Sequence, residues 1–259
     1  MKKMFLFFLL LIYIQPFACS ATMEGGVSKI GENKINKIID SSTNMPVSGA
    51  DIIIPKSNYM TTTDENGAFA LDVKINGDTI MSVEKDGYRP FSLTLDDNTT
   101  QHPMVVAIEK SNVEDILITS ELYHLGDNSY SNSSANSAEF RKEATGPYFA
   151  KNFTFSNSYL NKSTYLVIGS IIGIDTLLAK KMGQNQVTNS YASPPEVYFN
   201  GVKISEIHLN GDGQKIKIPN NLISRNSNEI MIKTGKNLLQ MAYIDYDDIE
   251  LMNLYVKSE

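Results

Sequence analysis

The chain has 259 residues, a formal net charge of −6, one cysteine, three histidines and no tryptophan. That length accommodates a leader and two domains of roughly 100 residues each. The acidic balance, with no basic stripe interleaved with aromatic residues, argues against nucleic acid as a partner, and a lone cysteine leaves no internal disulfide.

Lys2 and Lys3 precede the apolar run Met4 to Ile14 and the small-residue patch Ala18-Cys19-Ser20-Ala21. This is the pattern of an export signal, here residues 1–21, and the apolar run is too short to span a bilayer. Cys19, preceded by a small residue and followed by serine, resembles the lipobox of bacterial lipoproteins, whose thiol is acylated and becomes the new N-terminus. Pro16 and Phe17 depart from that pattern, so cleavage after Ala18, Ser20 or Ala21 stays open beside lipidation of Cys19. A lipid on Cys19 is the one membrane tether this reading supplies.

Residues 28–110 read as short strands punctuated by Asn66-Gly67, Asn76-Gly77 and Asp86-Gly87. Phe69, Leu71 and Val73 alternate with Ala70 and Asp72, as do Phe91, Leu93 and Leu95 with Ser92 and Thr94, which places one face inward. Ile52 to Ile54 look buried on both faces up to Pro55. Met45-Pro46-Val47-Ser48-Gly49-Ala50, the expected hairpin Thr63-Asp64-Glu65-Asn66-Gly67-Ala68-Phe69 and Asp86-Gly87-Tyr88 together resemble the carboxypeptidase regulatory-like domain, a transthyretin-like sandwich. Asn36 stands where that family commonly has a glycine. In carboxypeptidases this domain accompanies the catalytic one, so the resemblance implies no active site.

Residues 111–140 are expected to be a flexible connection, because GDNSYSNSSANSAEF is rich in serine and asparagine. VEDILITSE, just before it, resembles the segment that follows this domain in TonB-dependent outer-membrane receptors. It reads more simply as a last strand or a linker strand.

Over 141–259 strand patterning returns. The run TYLVIGSIIGI is β-branched and read as a strand, with a helical turn open over Asp175 to Lys181. Asn200-Gly201 between EVYF and VKIS is a two-residue hairpin signal. Ile216 and Ile218 point inward in QKIKIP, Asn210 to Gly213 read as a hairpin turn, and Tyr246 to Val256 as the closing strand. The order of PEVYFNGVKI, NNLI, SNEI and DDIEL resembles the galactose-binding-like jelly roll found in many carbohydrate-binding modules. The fold expected is therefore all-β: two β-sandwich domains, the first transthyretin-like and the second a jelly roll. The pairing resembles exported proteins of Bacteroidetes-type bacteria.

Sugar sites stack aromatic rings on pyranose faces. With tryptophan absent, Tyr198, Tyr243 and Tyr246, with Tyr191 nearby, are the candidate ligand-binding residues. Asp245, Asp247 and Asp248 could hold a structural calcium through oxygen ligands, or form a solvated loop. The histidines His102, His124 and His208 have no metal partner at short spacing, and no GxSxG or phosphate loop is present. No other cofactor is implied. The expectation is an exported, non-catalytic binding or adaptor protein at the bacterial cell envelope, in the periplasm, at the outer membrane or on the cell surface, engaging a glycan or a cell-surface protein. The alternatives are a structural spacer or assembly subunit without a small-molecule site and, less favoured, a cryptic glycan-active enzyme.

Overall fold

The structure, a computed structural model, describes residues 35–128, 140–155, 162–185 and 191–259. The leader with Cys19 and the stretch 129–139 lie outside the described residues.

The first sandwich holds β1 (Asn36–Asp40), β2 (Asp51–Ile54), β3 (Tyr59–Thr62), β4 (Ala68–Phe69), β5 (Thr79–Glu84), β6 (Phe91–Leu95) and β7 (Val105–Ile108). One sheet runs β4-β1-β7, with β1 and β7 parallel, and the other β3-β2-β5-β6. Ile38, Ile52, Ile54, Phe69, Met81 and Leu95 are among the side chains that fill the space between them, as strand alternation requires. Asn36 is buried and accepts the N–H of Met104 on its Oδ1 at 3.1 Å, so the amide stitches in the chain just ahead of β7. Gly87 takes φ +82, and Tyr88 folds back to donate its hydroxyl to Asp40 Oδ2 at 3.0 Å.

Thr63 to Phe69 is not the expected hairpin. β3 pairs with β2 while β4 pairs with β1, so this turn carries the chain from one sheet to the other. The Asp64 carboxylate closes it by accepting the N–H groups of Asn66 and Ala68, each at 2.8 Å, and of the Asn66-Gly67 pair only Gly67 has positive φ. Strand geometry stops at Phe69, although Leu71 and Val73 still pack on the core.

The second sandwich holds β8 (Ile116–Thr119), β9 (Tyr123–Leu125), β10 (Tyr148–Phe153), β11 (Thr164–Ile172), β12 (Glu196–Phe199), β13 (Val202–Glu206), β14 (Gly211–Ile218), β15 (Asn228–Lys233) and β16 (Ile249–Ser258). One sheet runs β14-β11-β16-β8, with β9 also on β16; the other runs β10-β15-β12-β13. The span 111–140 is thus not only a connection, since β8 and β9 are edge partners of the closing strand. Ile116, Ile118 and Leu125 bury against that sandwich's core, which outweighs the polar composition that follows them. Asn200 and Gly201 take φ 48 and 76, the mirror-image turn their sequence demands. Asn210 to Gly213 instead lead into and form the start of β14, because β13 and β14 belong to different sheets. A short helix α1 (Leu177–Lys181) follows β11, and its first turn is capped by Thr176, which accepts the Ala179 N–H.

The two sandwiches share one compact unit, Lys34–Glu259. Asp212 of β14 accepts the Thr94 N–H and hydroxyl of β6 at 3.0 and 2.9 Å and also takes the Ser170 hydroxyl at 2.7 Å. A small apolar cluster, Ile80, Leu122, Phe140, Ile172 and Met252, seals the same seam. Gly169 sits where no side chain fits: a Cβ there would lie 2.4 Å from Ser92 Oγ and 2.7 Å from Asn253 Cβ.

Candidate functional site

Where the seam opens, a cleft of about 470 Å³ lies between the sandwiches. Ile53 on β2, Pro55 and Lys56 in the turn after it, and Glu84 at the end of β5 form one wall. The opposite wall is made by Ser120 to Leu122 between β8 and β9, by Arg141 and Lys142, and by Glu250 and Met252 of β16. Ile53, expected to be buried on both faces, is half-buried because its outer face looks into this cleft.

Glu250 is the unusual group. It interrupts the apolar strand Ile249, Leu251, Met252, is 1 % exposed, and its Oε1 has no hydrogen-bond partner among the described residues. Burial pushes its carboxyl up to about 7, against the pull of His124, Lys56 and Lys142. Glu84, on the facing wall, is also raised, first by burial. Two of the cations around the cleft already have carbonyl partners: Lys56 donates to the carbonyls of Asn76 and Asp78 at 3.1 and 3.0 Å, and Lys142 to that of Leu122 at 2.5 Å. Arg141 is exposed at the rim.

His124 pairs in register with Glu250 across β9 and β16. Its Nε2 lies 2.8 Å from Asp248 Oδ1 and its Nδ1 2.6 Å from the Lys142 carbonyl. Burial pulls the imidazole down, but the carboxylate and the carbonyl outweigh it and leave the pKa above its ordinary value. Two acceptors facing two ring nitrogens are satisfied together only by the imidazolium. The ring is therefore one half of a buried ion pair with Asp248, and both of its nitrogens are taken up.

The three acids proposed for calcium do not converge. Asp245 accepts from Asn237 Nδ2 at 2.9 Å, Asp247 from the Asp175 N–H at 3.1 Å, and Asp248 from His124 and from the Asn128 N–H. Burial, then the neighbouring Asp175, holds Asp247 well above the usual carboxylate range. Among the described residues no group of three histidine, cysteine or acidic side chains stands in metal-holding geometry.

The tyrosines are also dispersed. Tyr198 stands on β12 between core residues Val197 and Phe199, so it faces outward, and its hydroxyl donates to Glu196 at 2.7 Å. Tyr243 is exposed in the loop before β16, and Tyr246 is half-buried there with its N–H on Asp127. Tyr191 lines a separate groove beside α1. None of them lines the cleft. The cleft residues were not singled out from sequence; the available signal was a glutamate inside an apolar closing strand, which calls for a partner.

No curated protein matches the chain. One similar solved structure is a carbohydrate-binding module, CBM36, in complex with calcium and xylotriose, at 12 % identity over 43 % of this chain and 72 % of that one, with a TM-score of 0.23. The family model of the CarboxypepD_reg-like domain matches residues 37–118, that is, the first sandwich and the strand β8 leading out of it.

Proposed function

We propose that the protein is an exported, non-catalytic binding or adaptor protein of the cell envelope that holds a small hydroxyl-bearing ligand, such as the end of a glycan, in the cleft between its sandwiches. The observation that carries this reading is the Glu250 carboxyl, buried at the cleft with an oxygen left unpaired. A buried acceptor without a partner costs about 1–3 kcal/mol, and a ligand hydroxyl would recover it. Apolar Ile53, Pro55, Leu122 and Met252 offer a surface for the ring face of a sugar, and Arg141 offers a rim donor. His124, behind the cleft, has both nitrogens committed to Asp248 and a carbonyl and so is unavailable for proton transfer to a substrate.

The test is a glycan array with the mature chain, residues 22–259, run with calcium and with chelator, wild type beside Glu250→Gln and Tyr243→Ala. Selective binding weakened about tenfold or more by Glu250→Gln supports the cleft. Binding lost only in Tyr243→Ala moves the ligand to the loop before β16. A blank array from a folded protein favours the second reading, a rigid spacer or assembly subunit, which the Asp212 clamp between the sandwiches supports.

A further inference from the structure

Half of the large apolar side chains exposed among the described residues fall in two short segments at one end of the second sandwich. Leu177, Leu178 and Met182, in and just after α1, are 43, 41 and 64 % exposed. In the loop that precedes β16, Leu238, Leu239, Met241 and Ile244 are 48, 58, 92 and 57 % exposed, with Tyr243 among them. The two segments are neighbours. Leu238 donates its N–H to Tyr191, Ala192 bridges to both Thr176 and Asn237, and Leu177, Leu178 and Leu238 line one groove of about 310 Å³. Soluble monomers seldom expose so concentrated an apolar face without using it.

The charges of these segments are sorted. Asp245, Asp247 and Asp248 are all buried beneath the loop, whereas Lys181 and Lys236 are exposed beside the apolar side chains. Asp127, the exposed acid at the edge of the loop, accepts the Tyr246 N–H. In a chain of net charge −6, this end presents its apolar side chains beside two exposed lysines, and the exposed Glu206 is taken up by Lys203 and His208. Met241 is nearly fully exposed, so almost its whole side chain is available to enter a fluid layer. Apolar side chains that insert at the headgroup boundary, with lysines at the level of the headgroups, match an anionic bilayer surface.

We infer that the end of the second sandwich formed by α1 and the 238–244 loop docks on an anionic lipid surface, with Leu239 and Met241 inserting and Lys181 and Lys236 meeting the headgroups. This contact is independent of the cleft and of Cys19. With a single acyl chain, which alone binds membranes only marginally, it would supply the second of the two signals stable anchoring requires.

The experiment is flotation of residues 22–259, which lack Cys19, with vesicles of phosphatidylcholine containing phosphatidylglycerol and with vesicles of phosphatidylcholine alone. The expected result is binding to the anionic vesicles that weakens with salt. Leu239→Asp with Met241→Asp should reduce it about tenfold or more, and Lys181→Glu with Lys236→Glu about fivefold per lysine. All four positions are exposed, so unchanged melting temperatures are expected, and Glu250→Gln should bind vesicles like the wild type. No binding to anionic vesicles, binding of equal strength to the neutral ones, or binding retained by both double variants overturns the inference. Self-association of the wild type that Met241→Asp abolishes, without vesicle binding, would assign the face to a second copy instead and overturn it as well.

Discussion

Asn253 of β16 donates from Nδ2 to Ser82 Oγ of β5 at 2.8 Å and to the Phe91 carbonyl at 2.9 Å, across the seam between the two sandwiches. The residue is fully buried and has φ 58, a left-handed backbone that asparagine tolerates better than most residues. It sits opposite Gly169, at the row where the paired registers of β11 with both β14 and β16 skip a position. One side chain therefore joins a local irregularity in the second sandwich to the sheet of the first.

Asn253→Ala should accordingly destabilise the protein by about 2–4 kcal/mol, from buried hydrogen bonds lost and from an alanine forced to positive φ. Because the seam is shared, urea unfolding followed by separate probes in the two sandwiches should shift in both together. A shift confined to the second sandwich would mean that the clamp does not couple them.

The His124–Asp248 pair makes a sharper demand on the fold. Its two side chains are 0 and 1 % exposed, so removing one partner leaves the other charge buried without compensation. His124→Gln should cost about 3–5 kcal/mol. Asp248→Asn keeps a hydrogen-bond acceptor for Nε2 and should cost less. Equal stability of His124→Gln and wild type by thermal melt would show that the pair is not an ion pair in solution.

Two glycines that look alike in sequence, each following an asparagine, should respond very differently. Gly201 has φ 76 with nothing within 4 Å of an added Cβ, so Gly201→Ala meets only backbone strain, about 1 kcal/mol. At Gly67, φ +69, the Cβ would fall 2.4 Å from the Ile38 carbonyl oxygen. The backbone of β1 would have to move, and Gly67→Ala should cost at least about 3 kcal/mol, read by chemical denaturation.

Those same two turns show what could be read from sequence and what could not. Asn200-Gly201 joins strands adjacent in one sheet, so local turn chemistry and global topology agree and the hairpin was legible. Asn66-Gly67 carries the same signal, but Asp64 closes the turn through its side chain and the flanking strands pair elsewhere. Strand pairing is decided by distant partners, which a local pattern does not encode. The strand nature of β11 followed from its β-branched residues, and the inward Ile216 and Ile218 from side-chain alternation. The cleft did not, because Lys56, Glu84, Arg141 and Glu250 come from four separated stretches that meet only once both sandwiches are docked. The calcium expectation took nearness in sequence for nearness in space, whereas Asp247 and Asp248, adjacent in the chain, go to different partners.

Glu250 finally predicts a pH dependence with a definite sign. Its carboxyl is raised from 4.5 to about 7 in the folded protein, so between those values the native state binds the proton more tightly than the unfolded chain. The stability this confers is present at and below about pH 4.5 and is lost as pH rises through about 7, a fall of about 3 kcal/mol. His124, also raised, contributes in the same sense over the adjoining window above 6.5. Glu250→Gln removes the first titration and leaves the second. Urea unfolding at pH 5, 6, 7 and 8 should show wild-type stability declining through this window. The variant should decline less steeply over this window, through Asp247 and Glu84, whose carboxyls are also raised, and should be more stable than the wild type at pH 8. A variant that declines in parallel with the wild type would mean that Glu250 is already ionised and partnered at neutral pH, and would remove the unpaired acceptor on which the cleft reading depends.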